Sequence, residues 1–253
     1  MKKMTIVQSL WFGRPLSVLE KKSINSYLNL GYEFHLYVYD NVKGIPDGVI
    51  IKDASEIIPK DERFQENFPL PFADFWRFVL LYKVGGIWVD LDMIALRRFP
   101  FETKSFVFSS EHTVQAGTLK SKNLQTPNIG IIKVPTKHPM MEELVLKCKR
   151  VMTRGTIQRN DKTRFMKIFK KMLIKHNLEK WVVDYKTFCP LHWWHTKEAF
   201  LAQDKYVEFK KKFGVDGYTW KSILENPNCY SVHMWRNLAV HRHQLDLNEL
   251  VLI

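Results

Sequence analysis

Short apolar runs alternate with segments of helical apolar spacing along the first half of the chain. The short runs predict strands near residues 5–11, 33–40, 48–52, 87–92 and 105–111. Helical spacing over residues 17–30 and 72–83 predicts two helices, each followed by glycine. A short helix capped by Asp53 or Ser55 follows the third strand. The order β-α-β-β-α-β predicts an α/β fold with a mainly parallel sheet flanked by helices.

One predicted strand, within VGGIWVDLD, ends in two carboxylates, Asp90 and Asp92. On an extended strand these two side chains point to one face and Leu91 to the other. In open α/β sheets ligands bind beyond the carboxyl ends of strands, and two adjacent carboxylates suit a hard divalent cation. The alternative is a loop that begins with two solvated acids.

The helix before this strand carries Asp74 and Arg77, three residues apart and therefore on one face. Its other positions are apolar on nearly every side, which predicts a buried helix. A buried Asp and Arg need either each other or a ligand. The pattern leaves both readings open: an internal ion pair, or a pair that holds sugar hydroxyls or phosphate.

The segment ADFWRFVLLYKVGGIWVDLDMIALRRF, within residues 72–99, resembles the glycosyltransferases with the DXD sugar-binding motif. That family includes initiating mannosyltransferases, lactosylceramide galactosyltransferases and capsular polysaccharide enzymes, with the clostridial glucosylating toxins as distant relatives. Weaker resemblance extends to IVQSLWFGRP, where Val7 replaces the family's usual His, to PNIGIIKVPTKHP, and to YSVHMWRN. Residues from about 145 to 215 match no family segment.

The resemblance implies a GT-A fold, Mn²⁺ or Mg²⁺ as cofactor, and retaining transfer of a sugar from a nucleotide-diphosphate donor. It implies that Asp74 and Arg77 hold the donor sugar and that Asp90 contacts ribose or metal-bound water. Carried over in the same way, the remaining positions would ligate the metal (Asp92, His233), stack on the base (Trp11), contact the diphosphate (Trp235) or join the nucleotide-sugar site (Gln8, Asn128).

Two of these positions have an independent sequence context. His233 shares one face of an alternating segment with Ser231 and Trp235, although a structural, hydrogen-bonded histidine fits the same pattern. Trp11 fits a core position as well as a stacking one. A further segment, DYKTFCPLHWWH, suits either an acceptor-sugar platform or a second hydrophobic cluster.

Charge adds a second feature to this picture. The chain has a formal net charge of +13, and Lys147–Lys180 holds twelve Lys or Arg against two acids. Residues 161–178 predict an amphipathic basic helix that suits an anionic membrane surface, near a lipid-linked acceptor. The alternative is a surface helix whose apolar stripe packs on the domain. We expect one domain, residues 1–253, with a helical insertion over about 145–215.

Several classes are disfavoured. The three cysteines form no C-x-x-C pair, so neither a zinc knuckle nor a disulfide framework is indicated. No signal peptide and no membrane span is predicted, so we expect a cytoplasmic protein, or one held peripherally at the inner face of the membrane. The expected donor is a UDP-sugar, with a GDP-sugar as alternative, and the expected acceptor is a glycan or lipid-linked saccharide.

Three rival functions stay open at this stage. An effector of the same fold would glycosylate a protein. A metal-dependent phosphohydrolase would use Asp90 and Asp92 on phosphate esters. A nucleic-acid-binding protein would explain the net charge, but no binding signature supports it, and we expect no nucleic-acid partner.

Overall fold

The computed structural model describes residues 4–60, 69–113, 124–154, 163–193 and 220–236. The strands are β1 (Ile6–Trp11), β2 (Glu33–Val38), β3 (Ile50–Asp53), β4 (Gly86–Val89), β5 (Met93–Ala95), β6 (Val107–Thr113), β7 (Leu124–Val134) and β8 (Ser231–His233). The α-helices are α1 (Val18–Asn29), α2 (Pro69–Lys83), α3 (Pro139–Thr153), α4 (Arg164–Lys175), α5 (Tyr185–Phe188) and α6 (Trp220–Glu225). Three 3₁₀ turns cover Ala54–Glu56, Phe101–Thr103 and Glu179–Trp181.

The central sheet has six strands in the order β3-β2-β1-β4-β7-β6. The first four are parallel, whereas β7 is antiparallel to both β4 and β6. The predicted α/β fold with a mainly parallel sheet is confirmed. Because β7 is antiparallel to both of its neighbours, β6 runs in the same direction as β4. The carboxyl ends of β4 and β6 and the beginning of β7 therefore meet at one edge of the sheet.

The predicted strand over 87–92 is wrong at its end, because β4 stops at Val89. The amide of Asp90 still donates to the carbonyl of Gly130, at 2.8 Å, and Met93 N–H then bonds to the Asp90 carbonyl at 3.1 Å. The chain thus turns as it leaves the sheet edge, so the two acids lie on a turn rather than along an extended strand. The turn leads into β5, which pairs antiparallel with β8 and sets Met93 opposite His233.

Two consecutive glycines make the connection from α2 to β4. Gly85 and Gly86 have φ angles of +70° and +87°, which L-residues with a side chain rarely adopt. A Cβ on Gly85 would lie 2.4 Å from the backbone nitrogen of Thr136. Only glycine therefore lets the helix end and the strand begin within two residues.

Helices cover both faces of the sheet. One core cluster joins α2, α3 and α4 to the sheet, and the other lies on the side of α1 and β5. In the basic helix α4, Phe165, Phe169, Met172 and Leu173 are buried in the first cluster. The apolar stripe of α4 therefore packs on the domain, as the surface-helix alternative from the sequence predicted. Lys167, Lys170 and Lys171 on the same helix are exposed.

Within the described residues, no helix has the length and apolar character that crossing a bilayer requires. Much of the predicted insertion over 145–215, including Trp194, lies outside the described residues, so the domain assignment stays a prediction.

Candidate functional site

Asp90, Asp92 and His233 meet at the carboxyl edge of the sheet. Each offers a ligand atom, and these atoms all lie within 4.8 Å of one another. The turn after β4 supplies both acids, and the β5–β8 pair brings His233 beside them. His233 Nε2 lies 3.2 Å from Asp92 Oδ1. The structure thus assembles the three predicted metal ligands from segments that are 141 residues apart in sequence.

Helix α2 places Asp74 and Arg77 against the same cluster. Arg77 Nη2 lies 2.9 Å from Asp90 Oδ1 and 3.3 Å from Asp74 Oδ1. Its Nη1 donates to the carbonyl of Ile129, and its guanidinium lies over the ring of Trp88, 4.7 Å from the centroid. Trp88 Nε1 donates to Asp90 Oδ1 at 2.8 Å. Asp74 and Arg77 therefore form an internal ion pair that also reaches Asp90, and their role in holding a sugar or phosphate stays a prediction.

Burial and neighbouring charges shift the pKa values of the acids and of His233 in different directions. Burial raises the pKa of Asp74 to about 7, against the lowering effect of Arg77. Burial likewise raises the pKa of Asp90, with a further contribution from Asp92. Burial raises the pKa of Asp92, but the charge and hydrogen bond of His233 and the backbone N–H groups together lower it below its ordinary value. Burial lowers the pKa of His233, but Asp92 raises it well above its usual value.

This arrangement fits a divalent cation. Two partly buried carboxylates repel each other in the absence of further positive charge, which a hard cation with oxygen ligands would supply. Backbone groups already orient Asp92: Arg236 N–H donates to its Oδ2 at 3.0 Å, and Met234 N–H donates to its carbonyl at 2.8 Å. Such outer bonds typically hold metal ligands in place. His233 would have to release its proton to join the ligand set.

Trp11 ends β1 close to this cluster. Its Nε1 donates to the Arg14 carbonyl at 2.7 Å, and the guanidinium carbons of Arg14 and Arg236 lie 5.1 and 5.9 Å from its ring centroid. Arg236 Nε also lies 2.5 Å from Glu20 Oε1, which is fully buried. Trp11 is thus connected through Arg236 to Asp92, in a cationic surrounding that suits an anionic ligand.

Trp235 lies beside the histidine. Its ring centroid is 3.9 Å from that of His233, and its indole N–H donates to the Leu191 carbonyl at 2.7 Å. Its φ of +49° is left-handed. The indole N–H of Trp235, which the resemblance assigns to the diphosphate, is therefore bonded to a backbone carbonyl in this structure.

Asn128 lies at the beginning of β7 and is buried, with its carboxamide bonded at both ends. Its oxygen accepts from Ser109 Oγ and from Gly130 N–H, while Nδ2 donates to Cys189 Sγ at 3.2 Å. Burial raises the pKa of the nearby Glu111, while His233 and the Asn128 side chain lower it. The Asn128 side chain therefore lies at the site, where its hydrogen bonds connect Ser109, Gly130 and Cys189.

Gln8 is not brought to this cluster. Its side chain is buried, and Nε2 donates to the Gly85 carbonyl at 2.9 Å, at the opposite end of β4 from Asp90. Its predicted contact with the nucleotide therefore has no counterpart in this geometry, and the observed bond holds the glycine pair.

Sequence reasoning missed four residues of the site: Trp88, Glu111, Arg236 and the buried Glu20. Trp88 precedes Asp90 by two positions, and Arg236 directly follows Trp235. Glu111 ends the predicted strand SFVFSSE, as Asp90 follows its own strand, which was a usable signal. Glu20 has a capping-box position after Ser17, but nothing local indicates its partner Arg236.

Residues 17–111 match the family described as glycosyltransferase sugar-binding region containing DXD motif. The matched region is somewhat more than a third of the chain and contains Asp74, Arg77, Asp90 and Asp92. The resemblance noted from the sequence is thereby confirmed, as is the predicted enzyme class, a glycosyltransferase.

A solved structure titled "PaToxG Glycosyltransferase" is similar over 89% of this chain and 85% of that chain, at 14% sequence identity and a TM-score of 0.47. At this identity and TM-score, no donor or acceptor carries over to this chain. No curated protein matches the sequence.

Proposed function

We propose that this chain, whose residues 17–111 belong to the glycosyltransferases with a DXD sugar-binding region, transfers a sugar from a nucleotide-diphosphate donor to a saccharide. A UDP-sugar is the favoured donor and a GDP-sugar the alternative, with Mn²⁺ or Mg²⁺ as the cofactor. The acceptor is a glycan or a lipid-linked saccharide, as in polysaccharide biosynthesis.

The observation that carries the proposal is the continuous chain of charged groups from Asp74 through Arg77 and Asp90 to Asp92 and His233. If Asp74 and Arg77 formed only an ion pair within α2, Arg77 would not need to contact Asp90 as well. If Asp90 and Asp92 were only solvated acids, no arginine would need to be held between α2 and the end of β4. Together they would provide a sugar-binding end and a diphosphate-binding end at one edge of the sheet.

The protein's own residues divide the work. Asp74 and Arg77 orient donor hydroxyls, with Arg77 fixed by Ile129 and Trp88 so that little reorganisation is needed on binding. Trp11 offers an aromatic face to the base, and Arg14 and Arg236 supply positive charge beside it. Asp90, Asp92 and His233 would hold the cation, which neutralises charge on the departing diphosphate.

We favour retention of anomeric configuration, on the strength of the resemblance. In a retaining transfer, the departing diphosphate accepts the acceptor's proton on the same face, so no strong base is required. NMR of the first-formed product distinguishes an axial from an equatorial linkage and checks this assignment directly.

A peripheral, cytoplasmic location at an anionic membrane remains part of the proposal. Its support is now electrostatic: Lys167, Lys170 and Lys171 of α4, Lys149 and Arg150 of α3 and Arg154 directly after α3 are exposed, and we call these residues the basic surface. Packing between α3 and α4 is fixed by Glu143, which bonds Lys175 and His176.

The test is a donor panel with purified protein: UDP- and GDP-sugars, each with Mn²⁺, Mg²⁺ or EDTA, followed by release of free nucleotide. We expect metal-dependent hydrolysis or transfer with one donor, reduced at least 100-fold in Asp92→Asn. The exposed loop variant Asp47→Asn serves as the matched control. Phosphate release from simple esters without any sugar donor would instead support a phosphohydrolase.

A further inference from the structure

The carboxyl edge of the sheet holds a third acid, Glu111, to which no role has been assigned. Strand β6 is parallel in direction to β4, so Glu111, near the end of β6, lies at the same edge as Asp90. Its neighbour in the register is Thr126, two residues before Asn128 on β7. Three strands therefore deliver Asp90, Asn128 and Glu111 to one edge.

The contacts of Asn128 show how Glu111 is oriented. The Asn128 carboxamide oxygen accepts from Ser109 and Gly130, and its amide nitrogen donates to Cys189. Burial raises the pKa of Glu111, while His233 and the Asn128 side chain lower it, so the Glu111 carboxylate lies near both groups. With three protein partners, Asn128 has little capacity left for a ligand, and its amide lies beside Glu111.

Glu111 also lies close to the cluster of acids and histidine. It interacts electrostatically with His233, and a Cβ on Gly130 would lie 3.4 Å from Met93 Sδ, 3.6 Å from Asn128 Oδ1 and 3.7 Å from Asp90 Oδ2. Because position 130 carries no side chain, the Asn128 carboxamide and the Asp90 carboxylate lie next to each other at this edge of the sheet.

We propose that Glu111 contacts the transferred sugar, its carboxylate accepting hydrogen bonds from donor hydroxyls, while Asn128 acts as its positioning residue. This inference rests on the proposed function. A carboxylate acceptor at this place favours hexoses with a free hydroxyl at the contacted carbon, because a deoxy analogue would leave one oxygen of the partly buried carboxylate without its partner. Glu111 thereby becomes a determinant of donor-sugar specificity.

The experiment compares the binding of UDP and GDP with that of UDP-glucose, UDP-galactose, UDP-N-acetylglucosamine and GDP-mannose, in Mn²⁺, by calorimetry. For whichever nucleotide-sugar binds, Glu111→Ala should weaken its affinity about tenfold and leave the affinity of the bare nucleotide within about twofold. Glu111→Gln, which keeps the shape and one acceptor, should show a smaller loss. Glu179→Ala, an exposed glutamate, is the control, and melting temperatures confirm that each variant is folded.

Three results would overturn the inference. Equal losses for the bare nucleotide and the nucleotide-sugar would place Glu111 in the nucleotide or metal site. Unchanged affinities for both would remove it from the donor site. Normal nucleotide-sugar binding by Glu111→Gln with transfer lowered 100-fold or more would make Glu111 a proton-transfer group. Failure of the wild-type chain to bind any nucleotide would instead contradict the proposed function itself.

Discussion

At the scale of single residues, Arg77 joins the two halves of the site. It is nearly fully buried and pairs with both Asp74 and Asp90. A buried pair contributes little net stability, but the removal of one partner leaves uncompensated charge. Arg77 is therefore expected to stabilise the fold in addition to its proposed contact with the donor sugar.

Arg77→Ala should lower the free energy of unfolding by about 3–5 kcal/mol at pH 7, because two partly buried carboxylates lose their cation. The matched control is Lys60→Ala, which removes one positive charge from an exposed pair with Asp40 and should cost about 0–1 kcal/mol. Urea denaturation measures both. Equal, small losses would show that Arg77 is not the shared partner of the two acids.

Asp74 predicts a pH dependence. Its pKa is about 7 when folded, raised from 3.8 mainly by burial, so the folded state holds a proton that the unfolded state has released. Stability from this group is full below the unfolded value and is lost as pH rises towards 7. Asp74→Asn should therefore gain stability relative to wild type between pH 5 and 8, by about 2 kcal/mol in the absence of ligand. A flat difference across this range would contradict the raised pKa.

Spacing and strand position made much of the site predictable. Asp74 and Arg77 follow from helical spacing, and Asp90 and Asp92 from their place after an apolar strand. The pairs Glu20–Arg236 and Glu111–Asn128 were not predictable, because the two members of each pair lie on different elements and meet only in the folded chain. Gln8 shows a different limit: its motif position predicted a nucleotide contact, which stays a prediction, whereas its amide donates to the Gly85 carbonyl in the fold.

At the scale of elements, the connection from α2 to β4 sets the geometry of the site. Gly85 and Gly86 let α2 stop beside the sheet, so that Arg77 reaches the acid that follows β4. The sequence predicted both elements but made the strand too long, because apolar alternation continues through Leu91 while the hydrogen-bond ladder does not.

Gly85→Ala should cost about 2–4 kcal/mol, since left-handed backbone strain is joined by a Cβ at 2.4 Å from the Thr136 backbone nitrogen. Gly13→Ala is the matched control: its φ is +92°, but nothing lies within 4 Å of an added Cβ. It should cost about 1–2 kcal/mol from strain alone. Thermal and urea melts compare the two, and equal losses would mean that the close contact is relieved by movement.

At the scale of the whole molecule, one edge of the sheet collects every residue of the proposed donor site. The antiparallel strand β7 was not foreseen, because a central antiparallel strand has the same apolar pattern as a parallel one. Because β7 is antiparallel to both β4 and β6, these two strands run in the same direction, and Glu111 lies at the same edge of the sheet as Asp90. Basic residues concentrate instead on α3 and α4, whose apolar stripes are already buried.

The basic surface of α3 and α4 predicts electrostatic membrane binding without insertion. Liposomes with anionic lipid should sediment the protein at low salt, and binding should fall steeply towards 0.5 M salt, or about three times physiological ionic strength. Lys167→Gln, Lys170→Gln and Lys171→Gln combined should weaken it by about 1 kcal/mol per charge. Binding that persists in neutral liposomes or at high salt would contradict this account.

The proposed function requires Asp90, Asp92 and His233 to bind a metal ion together with a nucleotide. The most direct measurement is Mn²⁺ binding, followed by the electron paramagnetic resonance signal of free Mn²⁺ with and without UDP or GDP, in wild type and Asp92→Asn. We expect one bound ion per chain, held more tightly with one nucleotide and lost in the variant while Asp47→Asn behaves as wild type. Nucleotide binding of equal strength in EDTA, or Mn²⁺ binding unchanged in Asp92→Asn, would contradict the account.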